Sequence, residues 1–207
     1  MQRDNLSKLL LKLCHFVAFI MFDFLLQLDK SIFISINSLP HNFLTDSVML
    51  FFSASSYWLV FWIFLTVLYI LFYGLREKRM ILSCIICAVL TFFAVSLGLQ
   101  NIIGRSRPIG TVDTTIEIGP HINSGSFPSA HAAFSFGLFI ILAKFHPKRG
   151  LYLFLVAFLV SFSRLYLGKH YPSDVVVGAM VGIFIGFISL KISNKIGYNL
   201  IKLSKKL

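Results

Sequence analysis

Ser163 to Asp174 reads SRLYLGKHYPSD, which sets an Arg, a Lys, a His and an Asp at the end of an otherwise apolar segment. Ionisable side chains at membrane depth are costly, so a chain keeps them for a use. Pro172 fits the first position of a new helix, where its missing N–H does no harm, and this puts Asp174 in the first turn with His170 just outside it. A carboxylate four residues after an imidazole, across a helix start, reaches one ring nitrogen and turns the other outward. That arrangement prepares a histidine to act as a nucleophile or base.

Composition sets the solvent around that stretch. The chain has 207 residues, 57% of them hydrophobic and only 13% charged, with mean hydropathy +0.83. This is far more apolar material than one soluble core needs, and it makes the chain an integral membrane protein. The net charge of +11 lies in short clusters between apolar runs and at the ends. With no basic-aromatic surface or nucleic-acid motif, the charge sets topology against an anionic leaflet, and no nucleic-acid partner is expected. Cys84 and Cys87 form a C-x-x-C inside an apolar helix, where packing is the better reading than zinc or redox chemistry.

Taken in order, Met1 to Lys12 is polar and basic, and Leu13 to Leu28 is an apolar run interrupted by His15 and Asp23. At about 16 residues it is short for a span of about 20, and reads as a first transmembrane helix or an interfacial one. No small-residue cleavage site follows it, so it is not a cleaved signal peptide. Asp29 to Pro40 reads as an amphipathic connection with Ile32, Phe33, Ile36 and Leu39 at helical spacing. Crossings are expected at Tyr57 to Leu75, Met80 to Leu99, Ser129 to Ala143, Leu151 to Leu167 and Asp174 to Leu190. Gln100 to Phe127 is the longest polar interval, a surface loop long enough to be functional or a lid.

The fold class is therefore all-α, a polytopic membrane bundle of about six transmembrane helices. It is read as a single domain: a helical or interfacial segment over 1–40, a core over about 46–192 and a basic cytoplasmic tail over 193–207. Positive clusters after the Tyr57 run, after the Ser129 helix and at the C-terminus are separated by even numbers of crossings and share one side, the cytoplasmic one. The Gln100 to Phe127 loop, the Phe127 to His131 turn and the Arg164 to Asp174 turn then all face the opposite side.

Three short motifs meet there. GRSRP supplies Arg105 and Arg107, whose planar guanidinium donors suit phosphate, although interfacial anchoring explains a lone pair of arginines equally well. FPSAH sets Pro128 at a helix start, so that the amides of Ser129, Ala130 and His131 have no intrahelical partners and form an anion site; an ordinary capped helix is the plainer alternative. In the third motif Arg164, His170 and Asp174 stand at defined spacing, and together favour function over an interfacial histidine.

Arg107-Pro108, then Pro128-Ser129-Ala130-His131, then Ser163-Arg164, five residues, His170, three residues and Asp174 resembles the signature of the type 2 phosphatidic acid phosphatase superfamily. That pattern is Lys, six residues, Arg-Pro; Pro-Ser-Gly-His; and Ser-Arg, five residues, His, three residues, Asp. The resemblance covers most of the chain from Asp46 onward. It departs at two positions: Gln100 stands in place of Lys, and Ala130 in place of Gly. Gln100 removes a charge from the phosphate pocket, which implies weaker phosphate binding or a shifted substrate preference, and Arg105 is a candidate for the missing charge. Ala130 is tolerated if its backbone angles are helical.

The resemblance implies a metal-independent membrane phosphatase. Arg107, Arg164, Ser129 and the helix-start amides hold the phosphate, His170 oriented by Asp174 attacks phosphorus to form a phosphohistidine, and His131 protonates the leaving oxygen. Lys169 adds positive potential or is a plain interfacial lysine. No cofactor is implied. His131, His170, Asp174 and His121 lack a recognisable metal-ligand spacing, and an arginine-rich pocket repels a cation.

The partners implied are the bilayer and a lipid phosphate: undecaprenyl diphosphate, phosphatidic acid, phosphatidylglycerol phosphate or lipid A phosphate. The implied location is a bacterial inner membrane with the site on the non-cytoplasmic side. A phosphotransferase using the same site, and a non-catalytic lipid-phosphate binder or transporter, are the readings of other classes.

The topology has a direct test. In the Asp113→Cys variant in intact spheroplasts, a membrane-impermeant thiol reagent is expected to label the loop from outside; labelling only after the membrane is opened would reverse the orientation.

Overall fold

The computed structural model describes residues 2–54 and 75–204. Among them there is no strand, and the fold is carried by α1 (Gln2–Asn37), α2 (Phe43–Ser53), α3 (Leu75–Thr91), α4 (Ala130–Phe145), α5 (Gly150–Tyr166) and α6 (Pro172–Ser204). α3 continues through a π-helical stretch, Phe92–Leu99, into one more turn, Gln100–Ile103. Lys78–Ile103 is thereby an unbroken 26-residue apolar helix, and with Pro147–Tyr166 and Pro172–Gly197 it is long and apolar enough to cross a bilayer. The all-α membrane bundle expected from the sequence is the one observed.

Several boundaries differ. The apolar run from Leu13 and the connection from Asp29 are one helix, α1, because no residue between Gln2 and Asn37 interrupts helical hydrogen bonding; the chain stops only short of Pro40. Of the expected stripe Ile32, Phe33, Ile36 and Leu39 only Phe33 is buried; the buried face of that second half is Asp29, Phe33 and Asn37. The expected crossing at Tyr57 to Leu75 lies, but for Leu75, outside the described residues. α2 begins at a reciprocal cap: Asn42 accepts from the amides of Leu44 and Thr45, and Thr45 Oγ1 accepts from the Asn42 amide. The polar loop starts at Gly104, which ends the α3 column in the left-handed conformation at φ +60°. Pro172 occupies the first position of α6 as expected, and α6 runs on through residue 204 instead of releasing a separate tail at 193.

Lipid tails are as apolar as leucine, so helices in a bilayer associate by close packing and polar contacts, with small residues at the interface. α6 does this with Gly178, Gly182 and Gly186, one glycine per turn along one face. A Cβ on Gly178 would stand 2.5 Å from the Ser129 carbonyl, one on Gly182 would collide with the Ala133 carbonyl, and one on Gly186 would stand 2.8 Å from the Gly137 carbonyl. Backbone therefore lies on backbone along the α4/α6 contact. α3 closes the other side through Met80, Cys87 and Val95, packed with Ala133, Ile141 and Ile185. Cys87 is buried in this core, as packing rather than chemistry.

Polar contacts fix the ends. Arg79 donates to Asn194 and Ser83 meets Ser193 at 2.6 Å, which ties the start of α3 to the distal part of α6. At the opposite end the Ser129 amide donates to the Asp174 carbonyl at 2.9 Å. The three sequence motifs thus gather at one end of the bundle, and the basic clusters of α3 and α6 at the other.

The α4/α6 contact makes a stability prediction. Gly182→Ala is expected to cost about 1–3 kcal/mol by overpacking, read as a lower Tm in detergent. Met180→Ala, at an exposed position on the same helix, is expected to leave Tm unchanged.

Candidate active site

The chain reverses between α5 and α6 in five residues. Gly168, at φ +73°, makes the turn; a Cβ there would be strained by that angle and would stand 2.5 Å from the Ile116 carbonyl. The Arg164 carbonyl accepts from the amides of both Lys169 (2.9 Å) and His170 (3.2 Å), which brings the last turn of α5 directly beneath the histidine.

His170 is buried, and its ring is held by a contact that the sequence does not announce. Nδ1 lies 2.7 Å from the Ser126 carbonyl. A carbonyl only accepts, so Nδ1 carries the proton and Nε2 carries the lone pair. Asp174 Oδ2 is 3.6 Å from Nδ1, beyond a hydrogen bond, and acts on the ring by charge. Its oxygen instead accepts from the Tyr171 amide at 2.8 Å. The expected orientation of His170 by Asp174 alone is therefore corrected: Ser126 fixes the tautomer and Asp174 supplies the field. Burial pushes the imidazole down to about 4, against the opposing pull of Asp174 and with Arg164 and Arg107 reinforcing it. At neutral pH His170 is an uncharged imidazole whose Nε2 carries the lone pair.

Nε2 faces Arg107, whose Nη1 is 3.4 Å away. Arg107 is clamped by neutral oxygens: Nε donates to Ser124 O (2.9 Å), Nη1 to Lys169 O (2.8 Å) and Nη2 to Gly125 O (3.0 Å). Among the described residues no carboxylate touches it, and burial lowers its pKa while Asp174 and Glu117 oppose. Arg164 is more exposed to this cost still. It is 3% accessible, donates through Nη1 to Ser53 Oγ, and among the described residues its buried Nε and Nη2 find no hydrogen-bond acceptor. A buried guanidinium with two idle donors is very unfavourable unless an anion completes it. His131, in the first turn of α4, is hydrogen-bonded to the backbone of Ser53 and lies in the field of Arg164, His170 and Arg107. The positive N-terminal ends of α4 and α6 lie side by side, the Ser129 amide donating to the Asp174 carbonyl.

Other expected site residues have different work. Arg105 does not face phosphate: Nη1 meets Asp174 Oδ1 at 2.5 Å and Nη2 meets Asp29 Oδ2 at 2.7 Å, so two carboxylates take up its charge. It cannot replace the missing lysine charge. Gln100 is buried and its Nε2 donates to the Pro128 carbonyl at 3.0 Å, pinning the end of the α3 column to the turn before α4. Ser129 is the N-cap, with Oγ 3.5 Å from the Ala132 amide, and its own amide is taken by Asp174 O, which corrects its place among the anion-binding amides. Ala130 has ordinary helical geometry as the first residue of α4, so a Cβ is accommodated there. Lys169 turns away from the pocket: Nζ holds Glu117 (2.8 Å) and the Pro120 carbonyl (2.9 Å), clasping the loop. His121 is bound to Glu117 at 3.0 Å on the surface. Among the described residues no group of three His, Cys, Asp or Glu side chains is placed to hold a metal.

Sequence reasoning missed Ser53, Ser126 and Asp29. Ser126 acts through its backbone, which leaves no mark on residue type. Ser53 lies 111 positions from Arg164 and carries no motif. Asp29 carried the one available signal, a carboxylate within an apolar helix.

An all-helical membrane bundle with buried arginines gathered around a neutral imidazole at one end defines an integral-membrane phosphatase. The chain belongs to the PAP2 superfamily, whose model matches residues 81–198. It is 33% identical to Lipid A 4'-phosphatase of Bacteroides thetaiotaomicron, over 85% of this chain and 81% of that protein. It is 29% identical to Undecaprenyl-diphosphatase BcrC of Bacillus subtilis, over 81% and 85%. Among solved structures, Aquifex aeolicus LpxE superposes with TM-score 0.62 at 30% identity, covering 79% of this chain and 95% of that one. The PAP2-type phosphatidylglycerolphosphate phosphatase of Bacillus subtilis gives the same TM-score at 23% identity, over 83% and 87%, and shares the fold.

The state of His170 is measurable. In NMR of protein labelled with 15N-histidine, in detergent without substrate, its ring is expected to stay neutral from pH 8 down to about 5, below the ordinary imidazole midpoint of about 6.5. Loss of the neutral signal with a midpoint near that ordinary value would contradict the burial argument.

Proposed function

We propose that this phosphatase cleaves the phosphate of a membrane glycolipid, a lipid A type phosphomonoester, through a phosphohistidine on His170. The observation that carries the phosphoryl site is Arg164, whose buried Nε and Nη2 find no acceptor among the described residues, beside an imidazole whose Nδ1 is tied to a carbonyl and whose Nε2 carries the lone pair. Phosphate oxygens supply what those donors lack. In this reading Arg164 and Arg107, with the Ala130 amide at the start of α4, hold three equatorial oxygens as charge builds in the five-coordinate transition state. His170 Nε2 gives its lone pair to phosphorus as the P–O bond to the lipid breaks, and His131 gives a proton to the departing oxygen. Water then attacks phosphorus, His131 takes its proton, and the P–N bond breaks to return the electron pair to Nε2 and release phosphate. Asp174 stabilises the positive charge that His170 carries in the intermediate.

The substrate class rests on two supports. A relative named for lipid A matches over most of the chain. An open cleft of about 430 Å³ is lined by Arg105 and Arg107 together with the neutral polar Gln100, Asn101, Asn123 and Ser124, a mixture that suits a phosphate carried beside sugar hydroxyls. Undecaprenyl diphosphate is the second reading, favoured by the BcrC likeness. The proposed location is a bacterial inner membrane with the pocket on the non-cytoplasmic face, because the basic ends of α3 and α6 lie at the far end of the bundle.

Purified protein in detergent, given lipid A, undecaprenyl diphosphate and phosphatidylglycerol phosphate separately, is expected to release inorganic phosphate fastest from lipid A, with no acceptor lipid present and with chelator added. Preference for the diphosphate would select the second reading, and release only with an acceptor would make the protein a phosphotransferase. His170→Ala is expected to abolish release, and Arg164→Ala to lower kcat by about 10²–10³. Unchanged turnover in His170→Ala would remove the mechanism.

A further inference from the structure

Asp29 sits in the last third of the apolar α1, 7% exposed, and both of its oxygens are engaged at the site. Oδ1 accepts from the Ser173 amide at 2.8 Å; Oδ2 accepts from Ser173 Oγ at 2.6 Å and from Arg105 Nη2 at 2.7 Å. The other arm of Arg105 goes to Asp174 Oδ1 at 2.5 Å and to Ser173 Oγ at 2.7 Å. One guanidinium is thus shared between two buried carboxylates, one of which stands beside His170. The geometry is framed on all sides. Arg105 lies over the Tyr171 ring at 4.2 Å, Tyr171 packs edge-on against Phe33 of α1 at 5.5 Å, and Asn37, one turn further, bonds the carbonyls of Ile116 and Tyr166 at 2.9 Å each.

We infer that Asp29 is a positioning residue for the reaction, acting through Arg105 to hold Asp174 in place and to leave it enough negative charge to support a cationic His170. The inference rests on the phosphohistidine reading. Arg105 paired with Asp174 alone would cancel that carboxylate. Shared with Asp29, it leaves one net negative charge next to a ring that must become positive when phosphorus bonds to Nε2. The other charges facing His170 are Arg107 from the loop, Arg164 from α5 and His131 from α4, all cationic or titratable, so the carboxylate pair is the sole negative source among these groups. Asp29 contacts neither Arg107 nor Arg164 in any hydrogen bond above, and so bears on the chemical step rather than on phosphate capture.

The test compares Asp29→Asn with wild type per folded enzyme, with inorganic phosphate release from the substrate that the wild type turns over fastest. Asp29→Asn is expected to lower kcat by about ten- to hundredfold with KM unchanged, the size of effect that small misplacement of a reacting group produces. The His170 NMR midpoint should move further down, because Arg105 then falls wholly to Asp174. Arg105→Gln should move the midpoint up, and in that background Asp29→Asn should have a much smaller effect than in wild type, since only the contacts to Ser173 remain. Asp29→Glu should restore part of kcat. If Asp29→Asn yields too little folded protein, Arg105→Lys serves instead: it keeps the charge, cannot span both carboxylates, and should show the same loss in kcat. A brace without a role in the reaction would lower Tm while leaving kcat and the His170 midpoint at wild-type values, and that result would overturn the inference. Inactive His170→Ala together with a wild-type Asp29→Asn would refute the role of Asp29 alone; active His170→Ala would refute the reaction beneath it.

Discussion

The 2.9 Å hydrogen bond from the Ser129 amide to the Asp174 carbonyl is possible only because α4 and α6 meet backbone to backbone. Gly178, Gly182 and Gly186 remove every side chain that would separate them. Water cannot drive helices together in lipid, so the approach has to come from small residues and from polar contacts that lipid cannot satisfy. Once the two helix starts are in contact, the rest of the site follows. His131 and Asp174 are brought to one end, the positive poles of both helices converge, and α5 is drawn in through the short reversal at Gly168.

What that convergence creates is a concentration of positive charge in a dry place. Arg107 and Arg164 are buried near one another without carboxylate partners, an arrangement that burial and mutual repulsion both oppose. The fold tolerates it differently for each. Arg107 is wrapped in carbonyl oxygens that take its protons without taking its charge. Arg164 keeps two donors idle. Such an uncompensated pocket favours an anion before any substrate contact is considered, and burial, reinforced by the same charge, keeps His170 neutral. The loop that covers the pocket is held by interactions that lie outside it, with Lys169 gripping Glu117 and Asn37 gripping Ile116.

The departures from the family pattern find physical explanations. Ala130 keeps helical angles at the first position of α4, so the family's glycine is dispensable there. Gln100 retains a structural bond to the Pro128 carbonyl and gives up a charge, and Arg105, the nearest candidate to replace it, is already shared by Asp29 and Asp174. The phosphate pocket is thus one cation poorer than the family pattern, which the proposed preference for a single phosphate on a neutral, hydroxyl-rich headgroup accommodates.

The sequence by itself determined the solvent and the helical class, because apolar run length is a one-dimensional property, and it offered Arg107, His131, Arg164, His170 and Asp174 as candidates through their spacing and the family resemblance they carry. Local order also fixed Pro172 at the start of α6 and the polar interval before α4. It did not determine that α1 is one helix whose buried face delivers Asp29, that Arg105 turns away from phosphate, or that Ser126 rather than Asp174 sets the His170 tautomer. Those outcomes depend on contacts between groups 44 to 144 residues apart, and one of them on a carbonyl that every residue type possesses. Only tertiary structure decides which of several nearby partners a charged group takes when each must find one away from water.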